Sequence, residues 1–138
     1  HPGGNLGKQL KTVEDVMASG TKIPFINENK KMKEAIKIIS KKKLGVVIAR
    51  NRNKITTGII TDGNIRKLRQ KNTDFQKTSV KDVMTKNPIT ITSDTLAIKA
   101  LRIMNEKKIT SLCVIKDKNF NKTTGIIHIH HILETNIE

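Results

Sequence analysis

The chain has 138 residues, of which 36% are hydrophobic and 28% charged, a globular composition long enough to bury a core rather than a disordered one. No apolar run approaches the roughly 20 residues of a membrane span, the single Cys113 excludes an internal disulfide framework and a cysteine zinc cluster, and three Phe without Trp or Tyr exclude a base-stacking platform. The formal charge of +15 is uneven: residues 1–71 hold 17 Lys and Arg against 5 acids, residues 72–138 hold 10 against 7. Attraction to anions is one reading of that excess; compositional drift is the other, favoured by 22 Lys against 5 Arg scattered over every segment.

In chain order, the start His1-Pro2-Gly3-Gly4 carries no charged-then-apolar leader and no initiating Met, so residues 1–11 are read as the end of a preceding domain and a linker. Thr12 followed by Asp15 opens a short helix with a near capping box. Ile23 to Ile26 is extended, with Pro24 at its edge. Apolar spacing of i, i+3, i+4 and i+7 predicts an amphipathic helix over 31–42. The β-branched run 46–49 is a strand, residues 50–56 a polar turn, and 57–61 a second strand. A last short helix begins near Gly63.

The pattern then repeats. Thr12-Val13-Glu14-Asp15-Val16-Met17 returns as Ser79-Val80-Lys81-Asp82-Val83-Met84, and Thr57-Gly58-Ile59-Ile60 as Thr124-Gly125-Ile126-Ile127, both at an offset of 67 residues. Met32-x-x-Ala35-Ile36-x-x-Ile39 returns as Ala97-x-x-Ala100-Leu101-x-x-Met104 at an offset of 65. The second copy therefore reads as a capped turn at Ser79, extended 89–92, helix 95–107, strand 112–115, turn 116–123, strand 124–129 and a helix from near His130. Residues 12–72 and 73–138 form two copies of helix, strand, helix, strand, strand, helix. Each copy alone leaves an apolar sheet face uncovered, which predicts an α/β unit of α+β type whose halves pair with pseudo-twofold symmetry. Clefts at the strand ends of such a pair favour anions and phosphates.

Two tandem copies of this pattern, carried by Asp15-Val16-Met17 with Asp82-Val83-Met84, Leu44-Gly45-Val46-Val47 with Ile109-Thr110-Ser111-Leu112, and Gly58 to Asp62 with Gly125 to His128, resemble a cystathionine-β-synthase (CBS) domain pair over residues 12–136. A narrower likeness exists. His1 to Lys8, with Thr61 to Arg66 and the histidine-bearing corner Gly125 to Leu133, resembles the C-terminal regulatory region of bacterial arabinose-5-phosphate isomerases. This implies a cytoplasmic, non-catalytic regulatory tail of an isomerase. His1, which in those enzymes lies at the isomerase site, would stand without the rest of that site.

The resemblance implies nucleotide binding in the cleft between the repeats. The common adenosine pattern is Gly-x-x-Thr/Ser-x-x-Asp, its aspartate accepting from ribose hydroxyls. Here it reads Gly58-x-x-Thr61-x-x-Asn64 and Gly125-x-x-His128-x-x-His131. Both departures remove negative charge and point away from AMP or ATP toward a more anionic ligand such as CMP-Kdo, or CMP, with an adenine nucleotide as the alternative. The expected ligand-binding residues are Thr61, Asp62, Asn64 and Arg66 in the first copy and Thr110, Ser111, His128, His130 and His131 in the second. No cofactor is required and no metal is expected, since His128 and His130 at i and i+2 lack further ligands nearby. Cys113 reads as a buried small hydrophobe without a general base. Expected partners are the ligand, the isomerase domain of the parent chain and a second CBS pair through self-association. Nucleic acid and membrane are not expected. The competing reading is a structural dimerisation module that takes no ligand.

Overall fold

The computed structural model describes residues 11–135; the His-Pro-Gly-Gly start and residues 136–138 lie outside them. In chain order the elements are α1 (Val13–Val16), β1 (Phe25–Asn27), α2 (Met32–Lys42), β2 (Val46–Arg50), β3 (Thr56–Thr61), α3 (Asp62–Gln70), β4 (Thr85–Lys86), β5 (Thr90–Thr92), α4 (Ala97–Lys107), β6 (Ser111–Ile115), β7 (Thr123–His128) and α5 (Ile129–Thr135). Short 3₁₀ turns lie at Gly20–Lys22 and Val80–Asp82. The chain is thus mixed α/β with the element order expected of each repeat.

The chain divides into two compact units that are not consecutive in sequence. One joins residues 11–20 to 89–135; the other is Thr21–Pro88. In the second unit β1 runs parallel to β2, and β2, β3 and β4 are successively antiparallel. In the first, β5 is parallel to β6 and β6 antiparallel to β7. There Ala18 bridges Ile126 at the place β4 occupies against β3.

The cores explain the division. Val13, fully buried, packs with Ile91, Ala100, Met104, Leu112, Val114, Ile127 and Ile132. Val80, its counterpart, packs with Ile26, Met32, Ala35, Val47, Ala49, Ile60 and Ile65. Each entry turn therefore seals the core built from the other repeat of the sequence. Backbone bonds fix α1 there: Val13 N–H donates to the Thr95 carbonyl at 2.7 Å and Ala97 N–H to the Lys11 carbonyl at 2.8 Å. In the Thr21–Pro88 unit, Val80 N–H donates to the Lys30 carbonyl at 2.8 Å.

The two entry turns differ in their caps. Thr12 forms the expected capping box with Asp15, whose carboxylate accepts from Thr12 N–H at 2.8 Å and is held below the usual carboxylate range by that bond. Ser79 makes no side-chain cap. Its hydroxyl instead accepts from Lys31 Nζ at 3.4 Å, and the turn stays 3₁₀.

The repeated Thr-Gly-Ile-Ile motif has a steric reason. A Cβ on Gly58 would stand 2.6 Å from Met84 Sδ and 2.8 Å from the Thr85 carbonyl oxygen, and one on Gly125 would meet the Met17 sulfur and the Ala18 carbonyl. Glycine lets the Asp-Val-Met segment lie against the strand.

Candidate functional site

Each unit has a corner where its last strand turns into its last helix. In Thr21–Pro88 the corner is Thr61 to Arg66, with Val46 in register beside Thr61. Gly45, at φ +70, lies next to it, with Asp62 Oδ2 3.6 Å from where a Cβ would stand. Asp62 and Arg66 are exposed, one turn apart on α3. Thr61 and Asn64 are half-buried and bonded to each other. Asn64 Oδ1 accepts from Thr61 N–H at 2.8 Å and from the Thr61 hydroxyl at 3.0 Å. Its Nδ2 donates to the Val83 carbonyl and to Thr85 Oγ1, both at 3.3 Å.

Thus the amide of Asn64 closes the helix start with one end and ties the Val83–Thr85 segment with the other. An aspartate could do only the first. Val83 and Thr85 were not read from the sequence as parts of this corner; the signal was the asparagine itself, because an amide, unlike the ionised aspartate of the common pattern, offers donors to a carbonyl.

In the other unit the corner is built from His128, His130 and His131, with Ser111 in register opposite His128. The Thr110 carbonyl accepts from Ile129 N–H at 2.8 Å. The structure therefore brings Thr110, Ser111 and the three histidines together, as it does Thr61, Asp62, Asn64 and Arg66 in their own unit. His128 N–H donates to His131 Nδ1 at 3.0 Å, the bond that Thr61 N–H makes to Asn64. His130 N–H donates to His128 Nδ1 at 3.1 Å. The His128 and His130 rings stack with centroids 4.9 Å apart, and His131 meets His128 edge-on at 6.1 Å.

Both Nδ1 atoms must carry lone pairs to accept, so His128 and His131 are neutral with the proton on Nε2. Burial first, then the neighbouring imidazoles of His130 and His131, push the His128 pKa below its ordinary 6.5. Among the described residues no three His, Cys, Asp or Glu side chains converge as a metal-binding set. Cys113 is buried in β6, and burial pushes its thiol up to about 12 despite a hydrogen bond from Thr123, which removes the thiolate that nucleophilic chemistry needs. Among the described residues no helix is long and apolar enough to cross a membrane.

The family model for the CBS domain matches residues 13–71 and again 80–138. Among curated proteins, the chain is 36% identical over 137 residues to the uncharacterized protein RP505 of Rickettsia prowazekii and 32% identical over 138 residues to the arabinose 5-phosphate isomerase KdsD of Escherichia coli K12. Both alignments cover 99% of this chain but 41% of the relative, so the chain spans about two-fifths of these proteins. Among solved structures, CBSX2 in complex with AMP superposes with a TM-score of 0.78 at 22% identity, covering 90% of this chain and 94% of that one. The CBS domain pair of MJ0100, in complex with 5′-methylthioadenosine and S-adenosylmethionine, gives 0.79 at 23% identity, covering 91% and 94%. At such identities the superpositions establish the fold.

Proposed function

The chain belongs to the CBS domain family, and from that membership we propose that it is the regulatory, ligand-binding part of a sugar-phosphate isomerase of the arabinose 5-phosphate isomerase kind. The relation to KdsD at 32% identity supports the parent activity. Catalysis belongs to the isomerase domain of that parent, and the CBS repeats begin at residue 12 with the second from residue 73. The ligand is a nucleotide or nucleotide sugar, its binding residues Thr61, Asp62, Asn64 and Arg66 at the strand-to-helix corner of one unit and Thr110, Ser111, His128, His130 and His131 at that of the other.

One observation carries the choice of ligand. The position that in the common adenosine pattern offers a carboxylate to ribose is Asn64 in one unit and His131 in the other, and both have their acceptor atoms bonded to the backbone N–H three residues earlier. One corner offers Arg66 beside Asp62, and the other the imidazole of His130. The reading takes CMP-Kdo, which presents a phosphodiester and a carboxylate on separate parts of the molecule, over AMP, whose charge sits on one phosphate, and S-adenosylmethionine, which carries a sulfonium cation. It makes the chain an end-product sensor of Kdo and lipopolysaccharide synthesis in the cytoplasm.

Calorimetric titration with CMP-Kdo, CMP, AMP and ATP tests the reading. Saturable CMP-Kdo binding with weaker CMP is the expected result; AMP or ATP binding with CMP-Kdo inert overturns it. A second reading, assembly without ligand, is favoured by Ile98 on α4 and Leu133 on α5, 40% and 44% exposed on helices that pack together. It predicts a dimer whose melting no nucleotide shifts.

A further inference from the structure

The duplication provides an internal control for the chain's charge. Residues Thr21–Pro88 hold 18 Lys and Arg against 5 acids, a formal +13, and the remainder of the chain 9 against 7. Compositional drift acts on both halves of a duplicated gene alike, whereas this excess belongs to one folded unit. Three of those 18, Arg50, Arg52 and Lys54, lie together at the end of the sheet remote from the Thr61 corner. Val46 pairs with Thr61 at the corner end of β2 and Arg50 with Thr56 at the other, about 13 Å away at the rise of a strand.

There a cavity of about 270 Å³ is lined by Phe25, Asn27, Arg50, Asn51, Arg52 and Lys54 together with Ile26, and no carboxylate is among its lining residues. Arg50 is half-buried, its guanidinium 3.7 Å from the centroid of the Phe25 ring. Stacking occupies the face of the guanidinium and leaves its edge, where the N–H groups lie, for a partner. The asparagines have their oxygens turned to the chain. Asn27 Oδ1 accepts from Asn29 N–H at 2.8 Å, and Asn51 Oδ1 from Asn53 N–H at 2.9 Å and Ile55 N–H at 3.1 Å. Their Nδ2 ends are donors.

The same end of the other unit differs in chemistry on the same backbone. The register pair Asn27 and Arg50 corresponds there to Thr92 and Ile115, and Phe25 to Thr90. The concavity is lined by Thr92, Asp94, Lys116, Asp117 and Lys118, two acids against two cations. The fold therefore does not impose a cationic pocket at this end of the sheet.

We propose that the Arg50–Arg52–Lys54 pocket is a second anion site, binding the phosphate group of a small phosphorylated metabolite through the edge of Arg50 with Arg52, Lys54 and the two asparagine amides as further donors. Three cations suit a phosphate monoester or diphosphate. The volume, just below the usual range for organic ligand pockets, admits a phosphate with a small body. It does not suit a nucleic-acid duplex, which needs a run of phosphate contacts rather than one enclosed group. The site is separate from the corners proposed to take the nucleotide and does not depend on that reading.

The test is an NMR titration of the ¹⁵N-labelled chain with inorganic pyrophosphate, with glucose 6-phosphate and, in a third arm, with a DNA duplex. Saturable shifts centred on Asn27 and residues 50–54 are expected with both phosphates. Arg50→Ala weakens binding at least about tenfold, as loss of a charge-assisted bidentate contact requires. Arg50→Lys, which keeps the charge and loses the fork, weakens it nearly as much. The double substitution Lys116→Ala with Lys118→Ala changes it less than about twofold, a difference too small for a lost charged contact. A spectrum of Arg50→Ala as dispersed as the parent's separates lost binding from lost folding; should that variant unfold, Arg50→Lys and the double substitution Arg52→Ala with Lys54→Ala decide. Shifts centred on Thr61 to Arg66, equal weakening by any lysine removed, or tighter binding of the duplex than of pyrophosphate each overturn the proposal.

Discussion

His131 Nδ1 accepts the backbone N–H of His128 at 3.0 Å, standing where Asn64 stands to Thr61 in the other unit. An asparagine oxygen accepts at every pH; an imidazole nitrogen accepts only while neutral. His128 is in the same position, accepting from His130 N–H at 3.1 Å. Its folded pKa lies below 6.5, because burial and the two neighbouring histidines disfavour its charge. The unfolded chain thus binds the proton more readily than the folded one. Stability from this group is complete above about pH 6.5 and is lost as the pH falls from there through the lower folded value. Melting temperature should drop between about pH 7.5 and about 5.5, and the double substitution His128→Asn with His131→Asn should flatten that drop. A pH profile unchanged by the pair of substitutions would remove the histidine cap from the account.

Asn64→Asp restores the residue of the common adenosine pattern and so separates its structural role from a ribose-binding one. The carboxylate can still accept from Thr61 N–H but cannot donate to the Val83 carbonyl or to Thr85. It also sets a charge against that carbonyl. Loss of about 1–3 kcal/mol in chemical denaturation is expected, with no gain in AMP affinity. A variant of parental stability that binds AMP more tightly would show that this position had kept its ribose-facing role.

The repeat and the element order were legible because the apolar residues that form the two cores recur at matching places: Val13 and Val80, Ala35 and Ala100, Val47 and Leu112, Ile60 and Ile127. Strand ends shifted by one or two residues, since Arg50 and Ser111 extend their ladders past the β-branched runs. The two-residue strand Thr85–Lys86 was not legible; it is exposed, carries no apolar alternation, and exists because Gly58 admits it. Nor was the exchange of entry turns, because a hydrophobic valine announces burial without naming the core that buries it. At the corners, sequence pattern identified which residues meet. It did not reveal that Asn64 and His131 already serve the backbone, which depends on rotamers. The Arg50 pocket was hidden by spacing: Phe25 and Arg50 are far apart in the chain and meet only through the parallel pairing of β1 and β2.

Gly58→Ala and Gly125→Ala should each weaken the edge of one sheet. At Gly58 the added methyl meets a flexible methionine but also the Thr85 carbonyl, part of the β3–β4 ladder. Met84 can swing away; the backbone cannot without breaking that pairing. A loss of about 1–3 kcal/mol is expected, typical of overpacking. Faster amide exchange at Thr85 and Lys86 should accompany it. If Gly58→Ala melts with the parent, the close approach of the Asp-Val-Met segment is not a constraint on this fold.

Val13→Ala and Val80→Ala test the exchanged entry turns directly. Each valine is fully buried and each substitution should cost about 2 kcal/mol, from lost apolar transfer and the cavity left behind. What distinguishes the two is where the loss falls. Val13 opens the first repeat of the sequence but packs on α4, β6, β7 and α5. Its truncation should therefore raise hydrogen exchange over 97–132 while residues 32–65 keep more of their protection. Val80→Ala should do the reverse, loosening α2, β2, β3 and α3, because its neighbours are Met32, Ala35, Val47 and Ile60. If Val13→Ala loosens 32–65 first, each entry turn seals its own repeat, and the assignment of the two cores is wrong.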